Sequence, residues 1–323
     1  MENNASKVEK AAGIKDLYKF FNGNPFWESG DFKLKPNYWQ GKKSEWSMSF
    51  DGYCLKDIFQ IHDPSFCAKF LQAVSGDGQE GEKITTLHSS SLASLMFFFG
   101  VSEKSPLYFP VGGKVMKFTR SEFEVKNEVS PGTGNYSNID VALYGKDYVL
   151  LLESKFSEYL YPNSEEIKEV DYYTTIYGRL ENSLKVVQVG LTRNKKGKRV
   201  LAKTGKTSVY CEGLKQMVSH YLGVRTEIEQ RKADYVGKKV YLGEILFDFG
   251  DKVPGASQKL QSYSRAYSSL REGLQACADE DCGGQLQIAP IITYQEVIGM
   301  KENMNYLGRM PERIREYYWY NKL

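Results

Sequence analysis

The sequence predicts an α/β fold in which helices flank a mixed β-sheet, in the order α-β-β-β-α-β. Segments with apolar residues every three or four positions are interspersed with short segments that are apolar at alternate positions or throughout. The composition agrees, since 41% of the 323 residues are hydrophobic and 26% are charged, as in ordinary globular proteins. This composition excludes collagen-like, coiled-coil and largely disordered chains.

The first helix is predicted over 86–99, with serines at 89–91 suited to its start and Gly100 to its end. We expect these serines to cap the helix; contact with a phosphate is the alternative. Three strands follow. The first has an acidic face, and the third is apolar on both faces and therefore central. We predict these strands at 122–129, 138–144 and 148–156.

The second half of the predicted core repeats the helix and strand patterns. Leu214 and Met217 belong to the apolar stripe of a second helix. A further helix and two further strands complete the chain up to residue 300. We predict them at 239–249 (strand), 257–278 (helix) and within 286–298 (strand).

The Gly-rich and acidic segment at 75–82 is the clearest boundary signal in the sequence. It predicts an aromatic-rich N-terminal extension over 1–82, the α/β domain over 83–300 and a C-terminal tail or helix over 301–323. Aromatic side chains of the extension are expected to form its core, and stacking on bases is the alternative. They include Trp27, Tyr38, Trp39 and Trp46.

Basic residues are concentrated in one segment of the chain. The whole sequence carries a net charge of +3, yet seven Lys and Arg and no acid lie between Arg193 and Lys206. Such a cluster can neutralise nucleic-acid phosphates without reading bases, and a solvated hairpin or loop is the alternative. The residues that we expect to contact nucleic acid are Lys195, Lys196, Lys198 and Arg199.

Cysteine usage and hydropathy bear on the cellular compartment. The five cysteines are odd in number and scattered, which argues against a disulfide framework or a zinc finger. The N-terminal segment lacks the apolar stretch of a signal peptide, and the longest apolar run, at 92–101, is too short to span a bilayer. We therefore expect a cytoplasmic protein without a membrane partner.

Two acids and a lysine are the residues of the sequence best suited to form a catalytic or metal-binding site. Asp140 lies near the start of one predicted strand, and Glu153 and Lys155 lie near the end of the next, so one hairpin can bring the carboxylates together. Glu153 and Lys155 are two positions apart and project from the same face. Charges on a central apolar strand are costly to bury unless they pair or bind a metal. Two converging carboxylates suit Mg²⁺; a structural ion pair is the alternative.

The segments NID at 138–140 and VLLLESK at 149–155 resemble the signature of the PD-(D/E)XK nuclease superfamily. The order of elements over 84–249 also resembles the restriction-endonuclease-like core of that superfamily, as found in bacterial restriction-endonuclease-like proteins. Ile139 departs from the pattern, because it replaces the leading proline. The resemblance implies that Asp140 and Glu153 bind the metal, and that Lys155 acts on the attacking water or on phosphate charge.

Further residues extend the site that the resemblance implies. Many superfamily members have a third acid, for which we choose Glu128 at the end of the first strand, with a solvated strand face as the alternative. Some members carry a glutamine on the helix after the lysine, where Gln216 lies one turn before His220. Both residues lie opposite the apolar stripe of their helix, so a surface or structural role is the alternative.

These residues together predict a Mg²⁺-dependent endo- or exodeoxyribonuclease in which Mn²⁺ can replace Mg²⁺. The expected partner is nucleic acid, for which we choose DNA with RNA as the open alternative, and a homodimer is also left open. The alternative is a catalytically inactive nuclease-fold module that binds nucleic acid or a partner protein. The residues predicted to be catalytic are Asp140, Glu153, Lys155, Glu128 and Gln216.

Overall fold

The computed structural model of the protein describes residues 34–39, 42–50, 55–75, 84, 89–205 and 209–318. The predicted linker beyond Ser75, and the side chains of the N-terminal aromatic residues such as Trp27, lie outside what is described.

The helices are α1 (Leu55–Ile58), α2 (Phe66–Ala73), α3 (Ser90–Phe98), α4 (Asp171–Arg179), α5 (Glu181–Val186), α6 (Cys211–Glu229), α7 (Ala256–Cys282), α8 (Tyr294–Ile298), α9 (Met304–Arg309) and α10 (Glu312–Tyr317).

The strands form a central sheet and three smaller sheets. The strands of the smaller sheets are β1 (Leu34–Trp39) with β2 (Lys42–Phe50), β3 (Leu107–Val111) with β4 (Lys114–Phe118), and β8 (Glu165–Glu166) with β9 (Val189–Arg193) and β10 (Arg199–Lys203). The strands of the central sheet are β5 (Arg120–Glu128), β6 (Tyr136–Tyr144), β7 (Tyr148–Lys155), β11 (Lys239–Leu246), β12 (Leu286–Ile288) and β13 (Ile292–Thr293).

The central sheet is mixed, with the order β12-β11-β7-β6-β5 and with β13 also paired to β11. Strands β5, β6 and β7 are antiparallel neighbours. Strand β11 runs parallel to β7 on one side and to β12 and β13 on the other. The prediction of an α/β fold with a mixed sheet flanked by helices is therefore confirmed.

Helices α3 and α6 lie on opposite faces of this sheet, because successive side chains of a strand point to opposite faces. The hydroxyl of Ser154 on β7 donates to the carbonyl of Ser90 in α3 at 3.3 Å. The next side chain, Lys155, donates to Gln216 of α6 at 2.7 Å. Helix α7 packs against α6 and β12.

Local sequence explains where the elements next to the site begin. Ser89 is the N-cap of α3, and its hydroxyl oxygen accepts from the backbone N–H of Leu92 at 3.0 Å, which confirms the predicted cap. Strands β6 and β7 form the predicted hairpin, closed by a hydrogen bond from Gly145 N to the carbonyl of Tyr148 at 2.9 Å. Strand β7 is buried along nearly its whole length, as expected for a central strand.

The strand predicted within 286–298 is present as two short pieces, β12 and β13, and the rest of that range is helix α8, which was not predicted. Thr293 caps this helix in a capping box, in which its side chain bonds the Glu296 N–H and the Glu296 side chain bonds the Thr293 N–H. Apolar runs of this length do not distinguish a strand from a buried helix. The region before the basic segment also holds α4 and α5, which the sequence analysis did not predict.

One hydrophobic core joins elements from α1 to α10. Asn303 is fully buried; its side chain accepts from Tyr108 N at 2.8 Å and donates to the carbonyls of Tyr108 and Val297 at 2.9 and 2.7 Å. These bonds connect the C-terminal segment to β3. In the part of the chain described here, no helix is both long enough and apolar enough to cross a membrane.

Candidate active site

The candidate site lies where β6 and β7 separate. Their paired register ends at Val141 and Leu152, one residue short of Asp140 and Glu153. Beyond this point the Asp140 side chain bonds β7 in place of the β6 backbone, because its Oδ2 accepts from the backbone N–H of Ser154 at 2.7 Å. Asp140 is half-buried, whereas its neighbours across the hairpin, Glu153 and Lys155, are buried.

Glu153 and Lys155 form a buried ion pair on the α6 face of the sheet. The Lys155 Nζ lies 2.5 Å from Glu153 Oε1, and each residue is only 3% exposed. Gln216 of α6 accepts a second hydrogen bond from Lys155 Nζ at 2.7 Å. The structure therefore brings Gln216 to the predicted lysine, although the residue lies off the main apolar stripe of its helix.

His220, one turn after Gln216, holds the other oxygen of Glu153. Its Nε2 lies 2.8 Å from Glu153 Oε2, and its Nδ1 forms a short hydrogen bond with the Ser137 hydroxyl of β6. His220 is 4% exposed. Both oxygens of Glu153 are thus bonded to nitrogen atoms, one on the same strand and one on α6.

Burial and neighbouring charges shift the pKa values of these groups in opposite directions. Burial, followed by repulsion from Glu153 and Glu124, raises the pKa of Asp140 well above its usual value. Burial alone would raise the pKa of Glu153, but Lys155 and His220 outweigh it and lower that pKa to about 2. Burial alone would lower the pKa of Lys155, but the Glu153 carboxylate raises it well above its usual value. The structure therefore favours a charged Glu153–Lys155 pair beside an Asp140 that readily takes up a proton.

The structure does not bring Glu128 to the other site residues. Glu128 pairs with Tyr136, four positions before Asp140, which is about 13 Å along a strand. Its Oε1 accepts from Gly134 N at 3.3 Å and so belongs to the turn. Glu124 is the residue of β5 that lies opposite Asp140, because the strand pairs on either side of it keep one continuous register. The φ of Glu124 is 49°, a positive value that is uncommon for residues other than glycine.

Two buried residues near the site were not predicted from the sequence. Glu244 of β11 is the register partner of Glu153 and is fully buried, with Oε1 accepting from the Tyr263 hydroxyl at 2.9 Å. Tyr294 of α8 shares a hydrogen bond of 2.8 Å with the Ser154 hydroxyl. An acid in the apolar segment KVYLGEIL was the one available signal for Glu244, and nothing in the sequence pointed to Tyr294.

The basic segment is the β9–β10 hairpin, and part of its charge is already paired. Arg193 contacts Glu169 at 3.1 Å, and Lys198 contacts Glu166 at 2.9 Å. The guanidinium of Arg199 reaches the Thr174 hydroxyl at 3.4 Å. At the turn, Lys195 and Lys196 are exposed and have no ion-pair partner among the described residues.

The donor set at the hairpin end fits a hard divalent cation that also binds water and phosphate. Within the described ranges, no group of three or more His, Cys, Asp and Glu side chains could by itself hold a metal ion. Mg²⁺ commonly binds through one or two carboxylates and takes its remaining ligands from water and substrate phosphates. Asp140 and Glu153 supply two such carboxylates, and the repulsion between them, which adds to burial in raising the pKa of Asp140, is one that a cation would relieve.

Comparison with known proteins adds one finding. No curated protein and no solved structure matches the chain. Residues 36–203, just over half of the sequence, match a family described as "Restriction Endonuclease associating with ARP". The matched range contains Asp140, Glu153, Lys155 and the β9–β10 hairpin, and it ends before Gln216 and His220. By this match the chain belongs to that restriction-endonuclease family.

Proposed function

We propose that the protein is a metal-dependent nuclease of the PD-(D/E)XK type, and that it hydrolyses phosphodiester bonds of DNA. The observation that carries this proposal is the meeting of Asp140, Glu153 and Lys155 where β6 leaves β7. Two carboxylates and a lysine at one strand end can bind a cation and a phosphate together. Membership of a restriction-endonuclease family supports nuclease activity.

The order of elements around these residues supports a restriction-endonuclease-like core. Helix α3 precedes the antiparallel strands β5, β6 and β7, and α6 then leads to β11, which is parallel to β7. This order matches the one that the resemblance implied. It places the three residues at one end of the central strand, with α6 directly beside them.

In this proposal Asp140 and Glu153 hold Mg²⁺, with Mn²⁺ as a substitute. When bound, the ion polarises a phosphoryl oxygen and lowers the pKa of a bound water. Each oxygen of Glu153 already accepts one hydrogen bond and keeps a further lone pair for this purpose. Asp140, which is half-buried, provides the second carboxylate of the site.

Lys155 stabilises negative charge on the phosphate in the transition state and orients the attacking water. Its raised pKa means that it stays protonated at neutral pH, so it acts as a hydrogen-bond donor and not as the base that takes the proton from water. Gln216 accepts from Lys155 and so restricts where the ammonium group can lie. Glu128 is not part of this proposal, because its side chain bonds the β5–β6 turn.

The β9–β10 hairpin supplies contacts to the nucleic-acid backbone. Lys195 and Lys196 at its turn carry charge that no described acidic side chain pairs, whereas Lys198 and Arg193 must exchange glutamate partners for phosphates. The hairpin therefore binds phosphates mainly through its turn. The bases are not contacted by these lysines, so this surface adds affinity without sequence preference.

A catalytically inactive module that binds nucleic acid or a protein is the second candidate. One observation favours it: Lys155 and His220 already bond both oxygens of Glu153, as they would in a purely structural cluster. The family description also names association with ARP, a partner of that family. Under this candidate the chain would bind without cleaving.

A cleavage panel separates the two candidates. Supercoiled plasmid, linear duplex, single-stranded DNA and RNA are incubated with the wild-type chain in Mg²⁺, Mn²⁺ or EDTA. We expect metal-dependent cleavage of DNA that falls about 100-fold or more in Asp140→Asn, while Glu128→Gln, a carboxylate change on the neighbouring strand, keeps its activity. Cleavage that persists in EDTA or in Asp140→Asn contradicts the assignment. Binding of DNA without cleavage under every condition supports the inactive module.

A further inference from the structure

We infer that His220 is a positioning residue for Glu153, and that Ser137 fixes the ring of His220 in the orientation that this requires. The inference rests on the proposed function, in which Glu153 is a metal ligand. It assigns a role to a chain of three side chains from β6, α6 and β7. None of these contacts needs the metal to be present.

The geometry shows a continuous chain of hydrogen bonds. The Ser137 hydroxyl bonds Nδ1 of His220, and Nε2 of the same ring lies 2.8 Å from Glu153 Oε2. The three residues are 5%, 4% and 3% exposed, respectively, so water does not compete with these bonds. Ser137 and Glu153 lie on adjacent strands, and α6 carries the ring that bridges them.

The positions of the protons follow from the chemistry of the groups. An ionised carboxylate only accepts hydrogen bonds, so Nε2 of His220 must carry a hydrogen to bond Glu153. The Ser137 hydroxyl can then donate to Nδ1, and this choice of partner sets the ring tautomer. Without Ser137, the ring could place its hydrogen on Nδ1 and turn a lone pair toward the carboxylate.

Two fixed oxygens give the Glu153 carboxylate one orientation. Lys155 bonds Oε1 and His220 bonds Oε2, so the carboxylate plane cannot rotate without breaking a buried bond. Hydrogen bonds that orient a metal ligand commonly change metal affinity about 10- to 100-fold when they are removed. His220 therefore acts on metal binding through Glu153, without touching the reacting atoms.

The arrangement is not required by packing alone. The apolar side of α6 is supplied by Leu214, Met217, Val218 and Tyr221, all of which are fully buried. A polar ring beside this stripe costs free energy unless both nitrogens find partners. Both nitrogens have partners here, and one of them is the acid that the proposed function assigns to the metal.

Calorimetric titration of the full chain with Mn²⁺, without DNA, tests the inference independently of cleavage. We expect His220→Leu to weaken the Mn²⁺ Kd about 10- to 100-fold. His220→Gln, whose amide can still donate to Glu153, should recover most of this loss, and Ser137→Ala should weaken binding by a smaller factor. Ser219→Ala is the matched control, because Ser219 is the neighbouring residue on α6 and bonds Tyr173 instead.

The outcomes separate this inference from the proposed function. Mn²⁺ binding that is equal in wild type, His220→Leu and Ser137→Ala contradicts the inference alone. If His220→Leu does not fold, the comparison of Ser137→Ala with Ser219→Ala decides, and equal Kd values for that pair contradict the positioning role. A wild-type chain that binds no Mn²⁺ contradicts the proposed function, and the inference with it.

Discussion

At the scale of single residues, the hydrogen bonds of Lys155 explain both its charge and its position. The ammonium group donates to the carboxylate of Glu153 and to the amide of Gln216 inside a buried site. Removing one partner of a buried ion pair strongly destabilises the folded protein, because the remaining charge is then buried without an opposite charge. The lysine is therefore held ready in one place, where a third N–H remains for a phosphate.

Replacing this lysine tests the division of roles between the charged groups. Lys155→Ala should lower the cleavage rate about 10²- to 10³-fold, the usual cost of losing a donor to transition-state charge. Mn²⁺ should still bind, because the acids are the proposed ligands, with a Kd weakened by no more than about 10- to 100-fold through the lost hydrogen bond to Glu153 Oε1. Single-turnover cleavage and calorimetry measure the two effects, and thermal unfolding checks the fold. Unchanged cleavage would contradict the role of Lys155.

Glu244 gives a stability prediction that is independent of catalysis. Burial, more than the repulsion from Glu153, raises its pKa from 4.5 to about 8. The folded state therefore keeps a proton that the unfolded state has lost between about pH 4.5 and pH 8. Its contribution to the free energy of unfolding falls as pH rises through this window, by at most about 1.4 kcal/mol per pH unit.

In Glu244→Gln, which can still accept from Tyr263, this contribution is removed. We expect the variant to become progressively more stable than wild type as the pH rises from 5 to 8 in EDTA. Urea unfolding at several pH values measures the difference. A difference that does not change with pH would show that Glu244 is ionised in the folded protein.

Residue patterns predicted part of the site and not the rest. Strand alternation was enough to place Glu153 and Lys155 on one face. The acid of β5 that lies opposite Asp140 is set by the register of β5 with β6, which depends on where the turn between the two strands begins and ends, and the sequence pattern did not define those limits. The contact of His220 with Glu153 depends on how α6 is placed over β6 and β7, which is a property of tertiary packing.

At the scale of elements, the β9–β10 hairpin carries the proposed nucleic-acid contacts. Its turn is ordered by Asn194, whose side chain accepts from the backbone N–H groups of Lys196 and Lys198. The sequence predicted the concentration of charge. It did not predict that Glu169 and Glu166 neutralise part of it, because those acids lie 24 and 32 residues before the basic residues that they pair with and meet them only in the fold.

The salt dependence of DNA binding measures how many of these charges reach phosphates. Lys195→Ser with Lys196→Ser should reduce the slope of log K against log salt by up to about 2 units. The matched pair Arg193→Ser with Lys198→Ser should reduce it less, because both side chains are already paired to glutamates. Equal slopes in all three proteins would mean that the hairpin is only a solvated surface.

Helices and strands with strong apolar periodicity were predicted with nearly the observed bounds. In the run at 286–298, where periodicity was ambiguous, the helix is instead marked by its N-terminal capping residues. The β6–β7 hairpin and helices α6 and α7 follow directly from apolar spacing and turn residues. In the run at 286–298 the apolar pattern is equally compatible with strand and helix. The capping box of Thr293 and Glu296 there favours a helix, a local signal that the apolar pattern obscured.

At the scale of the whole molecule, the C-terminal segment is part of the same core as the central sheet. Tyr306, Ile314 and Tyr317 are buried in that core. Asn303 connects the segment to β3 through two hydrogen bonds with the backbone of Tyr108, 195 residues away in sequence, and donates a third to the carbonyl of Val297 in α8. No local pattern predicts a contact of this separation, since it depends on the order in which the layers are packed.

Asn303→Ala should therefore destabilise the whole protein. The change leaves the Tyr108 N–H buried without its acceptor, which costs about 1–3 kcal/mol. Urea unfolding measures the loss, and Mn²⁺ affinity of the folded variant should equal that of wild type because Asn303 makes no contact with the site residues. An unchanged free energy of unfolding would contradict this role of Asn303.

The central claim is that Asp140 and Glu153 share one divalent cation. Anomalous diffraction from crystals soaked in Mn²⁺ tests it most directly. We expect a manganese peak within about 2.0–2.6 Å of a carboxylate oxygen of each residue, which disappears in Asp140→Asn crystals. No peak between these two side chains at saturating Mn²⁺, or a peak that persists in Asp140→Asn, would contradict it.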